Sequence, residues 1–295
     1  MPISRRKIDD EKKLVIEQSL WNKKYVLVVD KELCKGCDVC ELICHTEAID
    51  LIPQLKDGEK AKPHRIDVNP EKCDYCGMCV VVCPFGALDV TLNDEKFIPV
   101  VEKGSFPELI REINVDAEKC GQDCKDYEDE CPLKIIDVSP EKVKRGDEAR
   151  EGEKMIIAIE KELCPCCKRC EIAFPPGVIK VRKFFNGTID INRDKCPEGC
   201  QDCVDVCPVE ALYLREDEKK VYAKELFCIY CRACVKVCPV DDALEVNRTS
   251  VRHTPIQSGA WNKALEKLTS SSGVDRELSS KRLAKVLEIV KNRRL

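Results

Sequence analysis

The chain has 295 residues, 54 acidic and 50 basic, a net charge of −4, 5% aromatic residues and 23 cysteines. An acidic balance argues against a nucleic-acid partner, no apolar run approaches the roughly 18 residues of a membrane span, and Met1–Asp10 is charged with no apolar leader core behind it. Secreted disulfide scaffolds reach this cysteine density, but the count is odd and the cysteines stand in groups too tight to pair internally, so a reducing, cytoplasmic setting is expected.

Residues 1–24 read as a charged arm, in which 14–18 (LVIEQ) forms either an edge strand or a plain surface extension. A repeat follows: a short β-rich run, an acidic turn, a cysteine loop, a short helix and a second β-rich run. Incoming runs are Tyr25–Val29, Arg65–Val68, Glu112–Val115, Met155–Ile159, Thr188–Ile191 and Lys220–Ala223; outgoing runs are Ala48–Leu51, Ala87–Leu92, Ile135–Val138, Val178–Val181, Ala211–Leu214 and Ala243–Val246. The clearest loop is Cys73–Pro84, CDYCGMCVVVCP. Three thiolates at this spacing hold one iron–sulfur cube, the fourth reaches a second cube, and the proline turns the chain away. The expected loops are Cys34/37/40/44, Cys73/76/79/83, Cys120/124/131, Cys164/167/170, Cys196/200/203/207 and Cys228/231/234/238.

Two repeats make one bicluster module, so the expected fold is α+β: three tandem bacterial-type 2[4Fe-4S] ferredoxin domains between the arm and a helical tail. The divisions are 25–95, a Pro/Gly linker at 96–109, 110–186, 187–249 and the tail at 250–295. Within the second domain 141–154, almost all charged or glycine, reads as a solvated loop, and Asn186-Gly187 reads as a tight turn into the third. Ser258 caps a tail helix with Trp261, Leu265 and Leu268 on one face, and a second amphipathic helix is expected over 275–295. These helices either pack on the modules or dock another subunit.

In a bicluster module each triplet takes its fourth ligand from the partner loop. Loops three and four each lack a cysteine: Tyr127 stands where Cys203 stands in the fifth loop, and Phe174 where a fourth cysteine belongs. Pairing these two loops puts both losses on one site. Five four-cysteine sets then remain, for five [4Fe-4S] clusters: Cys34, Cys37, Cys40 and Cys83; Cys44, Cys73, Cys76 and Cys79; Cys131, Cys164, Cys167 and Cys170; Cys196, Cys200, Cys203 and Cys238; Cys207, Cys228, Cys231 and Cys234. The sixth position, with Cys120, Cys124, Tyr127 and Phe174, is expected to lack a cluster, the two rings filling its volume. The alternative is a nonstandard centre on Cys120, Cys124 and Asp123 or Asp126. Cys166 is out of phase and reads as a buried free thiol.

Cys196-x3-Cys200-x2-Cys203 matches a radical-SAM loop, but the proline-backed Cys207 places it in the ferredoxin repeat. Zinc binding by CxxC pairs does not require this spacing. His45 replaces the proline of the second loop and reads as an exposed turn residue or a hydrogen-bonding neighbour of the second set; His64 and His253 read as loop residues.

With these repeats over 30–247 the chain resembles polyferredoxins of methanogenic archaea. Cys228–Val240 (CIYCRACVKVCPV) and Arg248–Ser270 (RTSVRHTPIQSGAWNKALEKLTS) are similar to the polyferredoxin subunit of tungsten- or molybdenum-dependent formylmethanofuran dehydrogenase. The resemblance implies electron delivery to catalytic subunits that reduce CO2, with heterodisulfide reductase as an upstream donor. That subunit carries four modules where three are expected here. The expected role is a non-catalytic wire in such a complex, with a free or hydrogenase-linked electron carrier as the alternative. An enzyme is disfavoured, because neither a Gly-rich nucleotide loop nor a nucleophile constellation is visible. A vacant site makes the middle module a single stepping stone, or a gap for a partner's cluster to fill.

Overall fold

A computed structural model describes residues 4–270 except 59, 146 and 147, without the side chains of 122 and 141–154. The helix expected over 275–295 lies outside the described residues. In chain order the elements are β1 (Ser4–Asp9), β2 (Lys13–Ser19), β3 (Lys24–Asp30), α1 (Val39–Ile43), β4 (Ile49–Ile52), β5 (Arg65–Val68), α2 (Met78–Val82), β6 (Leu88–Leu92), β7 (Glu95–Lys96) and α3 (Pro99–Glu102). Next come β8 (Glu112–Val115), a 3-10 stretch over Gln122–Glu130, β9 (Ile136–Arg145), β10 (Glu148–Ile159), α4 (Arg169–Ala173) and β11 (Ile179–Arg182). The last group is β12 (Phe185–Ile191), α5 (Asp202–Asp205), β13 (Leu212–Arg215), β14 (Lys220–Ala223), α6 (Ala233–Val237), β15 (Leu244–Val251) and α7 (Gly259–Thr269).

One nested antiparallel pairing recurs along the chain. The strand entering the first loop of a pair bonds the strand leaving the second, and the two strands between the loops bond each other. These pairs are β3–β6 with β4–β5, β8–β11 with β9–β10, and β12–β15 with β13–β14. Each nested pair of ladders faces two cysteine loops toward one another. The strands are short and β-branched on their inward faces: Ile49, Leu51, Ile66 and Val68 are buried in one ladder, Ile113, Ile179 and Val181 in another.

The structure differs from expectation in five places. The charged arm is a hairpin, β1–β2, that continues the β3–β6 sheet, because Leu14 and Ile16 alternate inward beneath it. Strands β9 and β10 run on through the expected loop at 141–154, with Glu148 opposite Arg145 and Glu151 opposite Lys142. Charged residues carry little β-propensity, so the pairing left no apolar alternation to read. Asn186-Gly187 is a register shift inside β12 and not a turn: a Cβ on Gly187 would lie 2.0 Å from the Asn247 carbonyl oxygen, so the bulge needs glycine for its close backbone approach. Consequently the expected divisions at 186/187 and 249/250 fall inside β12 and β15. The linker is ordered as β7 and α3, with Pro99 in the first turn of the helix.

Helix α7 starts as expected, the Ser258 hydroxyl accepting from the Trp261 N–H at 3.4 Å. It buries Trp261, Ala264 and Leu268 against the chain itself, with Ala264 taking the place expected for Leu265. The Trp261 indole meets Phe106 edge-on at 5.3 Å, and its N–H donates to His253 Nε2 at 3.1 Å. His253 is therefore a packing residue joining linker and tail, through the Leu109–His253 bridge, and not a plain loop residue.

Candidate metal centres

The cysteine loops other than Cys120–Cys131 are shaped by residues in the left-handed backbone region. In the loops beginning at Cys73, Cys164 and Cys228, that conformation falls on Tyr75, Cys166 and Tyr230, and again on Gly77, Lys168 and Arg232 immediately before the short helix. The reversal turns successive cysteines toward one centre and frees backbone N–H groups to point at sulfur. Such bonds reach Cys164 Sγ from Cys166 N–H and Cys228 Sγ from Tyr230 N–H, each at 3.4 Å. Alanines after the helices do the same for Cys44, Cys83 and Cys207, at 3.3, 3.4 and 3.2 Å.

Cys166 thus occupies the position of Tyr75 and Tyr230. It is fully buried and makes packing contacts, which explains a cysteine out of phase with the ligand spacing. Aligning CDYC, CPCC and CIYC exposes that equivalence in the sequence itself.

The structure gathers the remaining sulfurs across loop pairs. Cys40 has Cys37, Cys34, Cys79 and Cys83 as charge neighbours. Cys79 has Cys76, Cys73, Cys44 and Cys83, so the two sets of the first module are themselves neighbours. Cys170 has Cys167, Cys164 and Cys131, and these four line an enclosed cavity whose walls include Ile113, Leu133, Ile135, Ile159 and Val181 together with Lys168 and Arg169. Cys203 has Cys238, Cys200 and Cys196, lining a second such cavity. Cys234 has Cys207, Cys228 and, from the neighbouring set, Cys203, and Cys231 joins them.

Burial and then the neighbouring sulfurs push these thiols up: Cys73, Cys167 and Cys228 to about 11, Cys76, Cys170 and Cys203 to about 12, and Cys37, Cys40, Cys79, Cys231 and Cys234 well above the ordinary range. At this depth the neutral thiols are favoured, and holding four of them together as thiolates requires cations at their centre. Sulfur is also the polar donor presented to each cavity, which suits iron and sulfide. The donor sets therefore fit iron–sulfur clusters.

Exposure differs between sets. Cys44, Cys73 and Cys76 are partly exposed, as are Cys196, Cys200 and Cys238, and the sets holding Cys34 and Cys207 have that one partly exposed member each. All four of Cys131, Cys164, Cys167 and Cys170 are buried, as are Cys37, Cys40, Cys83, Cys228, Cys231 and Cys234. His45 is half exposed and its Nε2 lies 3.0 Å from Asp74 beside the first exposed set.

The sixth position is built differently. Phe174 is buried and its ring meets Tyr127 at 5.5 Å, in the place where a further pair of sulfurs stands in the other modules. Cys120 and Cys124 are joined as a disulfide, their Cα atoms 5.8 Å apart. This corrects the expectation that clustered cysteines are too close to pair: the 3-10 turn brings positions four apart within bridging range. The loop geometry survives the lost ligand, since Gly177 takes the same left-handed turn after Phe174 that Gly86 takes after Cys83.

The family model of a 4Fe-4S dicluster domain matches residues 33–87 and 195–242. The polyferredoxin protein MvhB of Methanothermobacter marburgensis is 32% identical over 124 residues, 40% of this chain and 26% of that protein. Pyruvate synthase subunit PorD of Methanocaldococcus jannaschii is 36% identical over 61 residues, 21% of this chain and 67% of that subunit. The chain thus spans about a quarter of the length of the curated polyferredoxin it matches. Among solved structures, a chain of the formate dehydrogenase–heterodisulfide reductase–formylmethanofuran dehydrogenase complex from Methanospirillum hungatei superposes with a TM-score of 0.78 at 30% identity, over 90% of this chain and 91% of that one. No helix among the described residues is long and apolar enough to cross a membrane. By its paired cysteine loops, its dicluster matches and this end-to-end similarity, the chain belongs to the polyferredoxins, iron–sulfur electron-transfer proteins carrying 4Fe-4S dicluster domains.

Proposed function

We propose that the chain is three dicluster modules holding five [4Fe-4S] clusters, and that it serves as a non-catalytic relay inside a cytoplasmic redox complex of formylmethanofuran dehydrogenase and heterodisulfide reductase. The modules are the three nested strand pairings, about 25–95, 110–184 and 185–251. The observation that carries the reading is the gathering of four sulfurs from two loops at each of five places. A bound [4Fe-4S] cluster supplies one-electron acceptance and release. The protein's part is to hold it. Crossed ligation makes each loop depend on its partner, so losing one cysteine opens the site from both sides. Backbone N–H groups on the Cys44, Cys83, Cys164, Cys207 and Cys228 sulfurs stabilise the added negative charge of the reduced form. Apolar walls keep water from the buried sets.

The choice of complex rests on the similarity to a chain of the Methanospirillum hungatei assembly over nine-tenths of both chains. Protein purified without air from its native host tests both halves. About 20 irons per chain are expected from five four-iron clusters, and the chain is expected to elute with catalytic subunits at high mass. Elution as a monomer would point to a free carrier. Zinc in place of iron would end the cluster reading.

A further inference from the structure

Cations cross between modules at buried cysteine loops. Arg111 of the second module donates to the carbonyl of Cys83 in the first at 2.9 Å, and Lys183 of the second to that of Cys228 in the third at 2.7 Å. Another cation crosses at a partly exposed set. In the first module residues 53–64 join β4 to β5, where residues 216–219 suffice to join β13 to β14 in the third. The longer connection has a proline near each end, Pro53 and Pro63, and is shaped by its own bonds. Asp57 and Lys60 exchange main-chain bonds at 2.9 and 3.2 Å, and Lys62 pairs with the Asp57 carboxylate at 3.1 Å.

This strap reaches α5 of the third module. Lys56 Nζ lies 2.6 Å from Asp202 Oδ1 across 146 residues of sequence, and the Ala61 N–H donates to Asp205 at 2.9 Å. Asp202 directly precedes Cys203 and stands two residues from Cys200. Its side chain is buried, whereas that of Lys56 is half exposed. Neighbouring Cα atoms are about 3.8 Å apart, so the Asp202 charge lies on the order of 10 Å from the centre of the Cys196/Cys200/Cys203/Cys238 set. The third module places charges of its own there: Lys220 donates to the Cys196 carbonyl, and Lys195 pairs with Asp242 at 3.9 Å. Lys56 differs from these in coming from another module.

We infer, resting on the cluster proposed at that set, that Lys56 of the first module is a positioning residue for electron exchange in the third: paired with Asp202, it offsets the carboxylate beside the cluster and so sets how readily that cluster accepts an electron. A carboxylate buried next to a cluster opposes the negative charge that reduction adds, because little water screens it. A cation held against it cancels that opposition. The step itself moves one electron from a low-potential one-electron donor to the cluster and leaves every thiolate bond in place. A salt bridge that served only to tie the modules together would be indifferent to the redox state of the set.

The test uses full-length, iron-loaded protein carrying Lys56→Gln, Asp202→Asn or both. The EPR component of reduced protein that Cys238→Ser removes identifies the set, and its reduced-to-oxidised ratio is read at one fixed solution potential near the wild-type midpoint. Lys56→Gln leaves the carboxylate unopposed, so the ratio is expected to fall about threefold or more; Asp202→Asn leaves the cation, so it is expected to rise by a similar factor. The double variant is expected to return close to wild type, and Lys56→Arg, which keeps the charge, to match it. Shifts of the two single variants in the same direction, or no shift in either, would overturn the inference. So would iron lost from Lys56→Gln, which would make the strap a structural clamp. Iron content keeps the underlying reading separate: about 20 irons per chain are expected in the Lys56 and Asp202 variants and about 16 in Cys238→Ser. Undiminished iron in Cys238→Ser would sink the ligand assignment on which the inference rests.

Discussion

Arg248 Nη2 lies 2.8 Å from Asp38 Oδ1 across 210 residues of sequence, and neither side chain reaches solvent. Burial alone would raise the Asp38 carboxyl, but Arg248, Arg232 and Lys236 hold it down at about 2. One carboxylate thus pairs with three cations at the join of the first and third modules. Asp38→Asn removes the carboxylate that these buried cations share, a loss of about 3–5 kcal/mol. The expected outcome is a marked fall in the thermal midpoint of iron-loaded protein, with its iron content at room temperature unchanged. A midpoint equal to wild type would mean the cluster of charges contributes nothing to holding the modules together.

At the sixth position, Tyr127 and Phe174 stand where sulfur stands elsewhere while the loop backbone keeps its turn. Tyr127→Cys with Phe174→Cys supplies the two missing ligands. Assembled with iron and sulfide under reducing conditions that open the Cys120–Cys124 bridge, the double variant is expected to rise from about 20 to about 24 irons per chain. Cys124→Ser alone is expected to leave wild-type iron unchanged, and a loss of four irons from it would show that this position holds a cluster after all.

Cys164 and Cys166 separate ligand from packing residue within one loop. Cys166 replaces the tyrosines of the equivalent loops, and its backbone N–H, not its sulfur, is what the loop requires. Cys166→Ala keeps that N–H, so iron content and the cluster absorbance near 400 nm are expected to match wild type to within about one iron of the twenty, whereas Cys164→Ser loses about four. Iron lost from Cys166→Ala would make Cys166 a ligand and undo the equivalence.

Local chemistry was legible in the sequence and long-range chemistry was not. Cysteine spacing, the prolines behind Cys83 and Cys207, and the short β-branched runs mark loops and strands because each reflects a constraint within about ten residues. Strands such as Arg65–Val68, Glu112–Val115 and Lys220–Ala223 fall where their side chains place them. The pairing of loops three and four was argued from two missing cysteines, Tyr127 and Phe174, that come together in space. By contrast, Asp38 reads as one acid among 54 acidic residues until Arg248 is folded against it. Arg111 and Lys183 look like surface charge, because backbone carbonyls of other loops are their partners and carbonyls leave no mark in a sequence. Strand pairing over 142–145 and 148–151 is illegible for a related reason, since a main-chain ladder leaves no mark in a run of charged residues.

Trp261 anchors the tail to the body of the protein. Its side chain is 1% exposed, packs edge-on against Phe106 of the linker, and donates its indole N–H to His253. Truncation of a buried tryptophan costs about 3–5 kcal/mol, and here it also leaves His253 Nε2 without its indole partner. Helix α7 packs against α1 of the first cysteine loop, but the ring contact and hydrogen bond of Trp261 go to Phe106 and His253, so the loss falls on docking of the helix before cluster binding. Trp261→Ala is therefore expected to expose residues 252–270 to limited proteolysis while iron content and EPR spectra stay as in wild type. Trp261→Phe retains the ring contact and loses the hydrogen bond, so cleavage is expected at an intermediate rate. If Trp261→Ala protein resisted cleavage as wild type does, the helix would be held by contacts other than this one, and the tail would be free to evolve as a separate docking element.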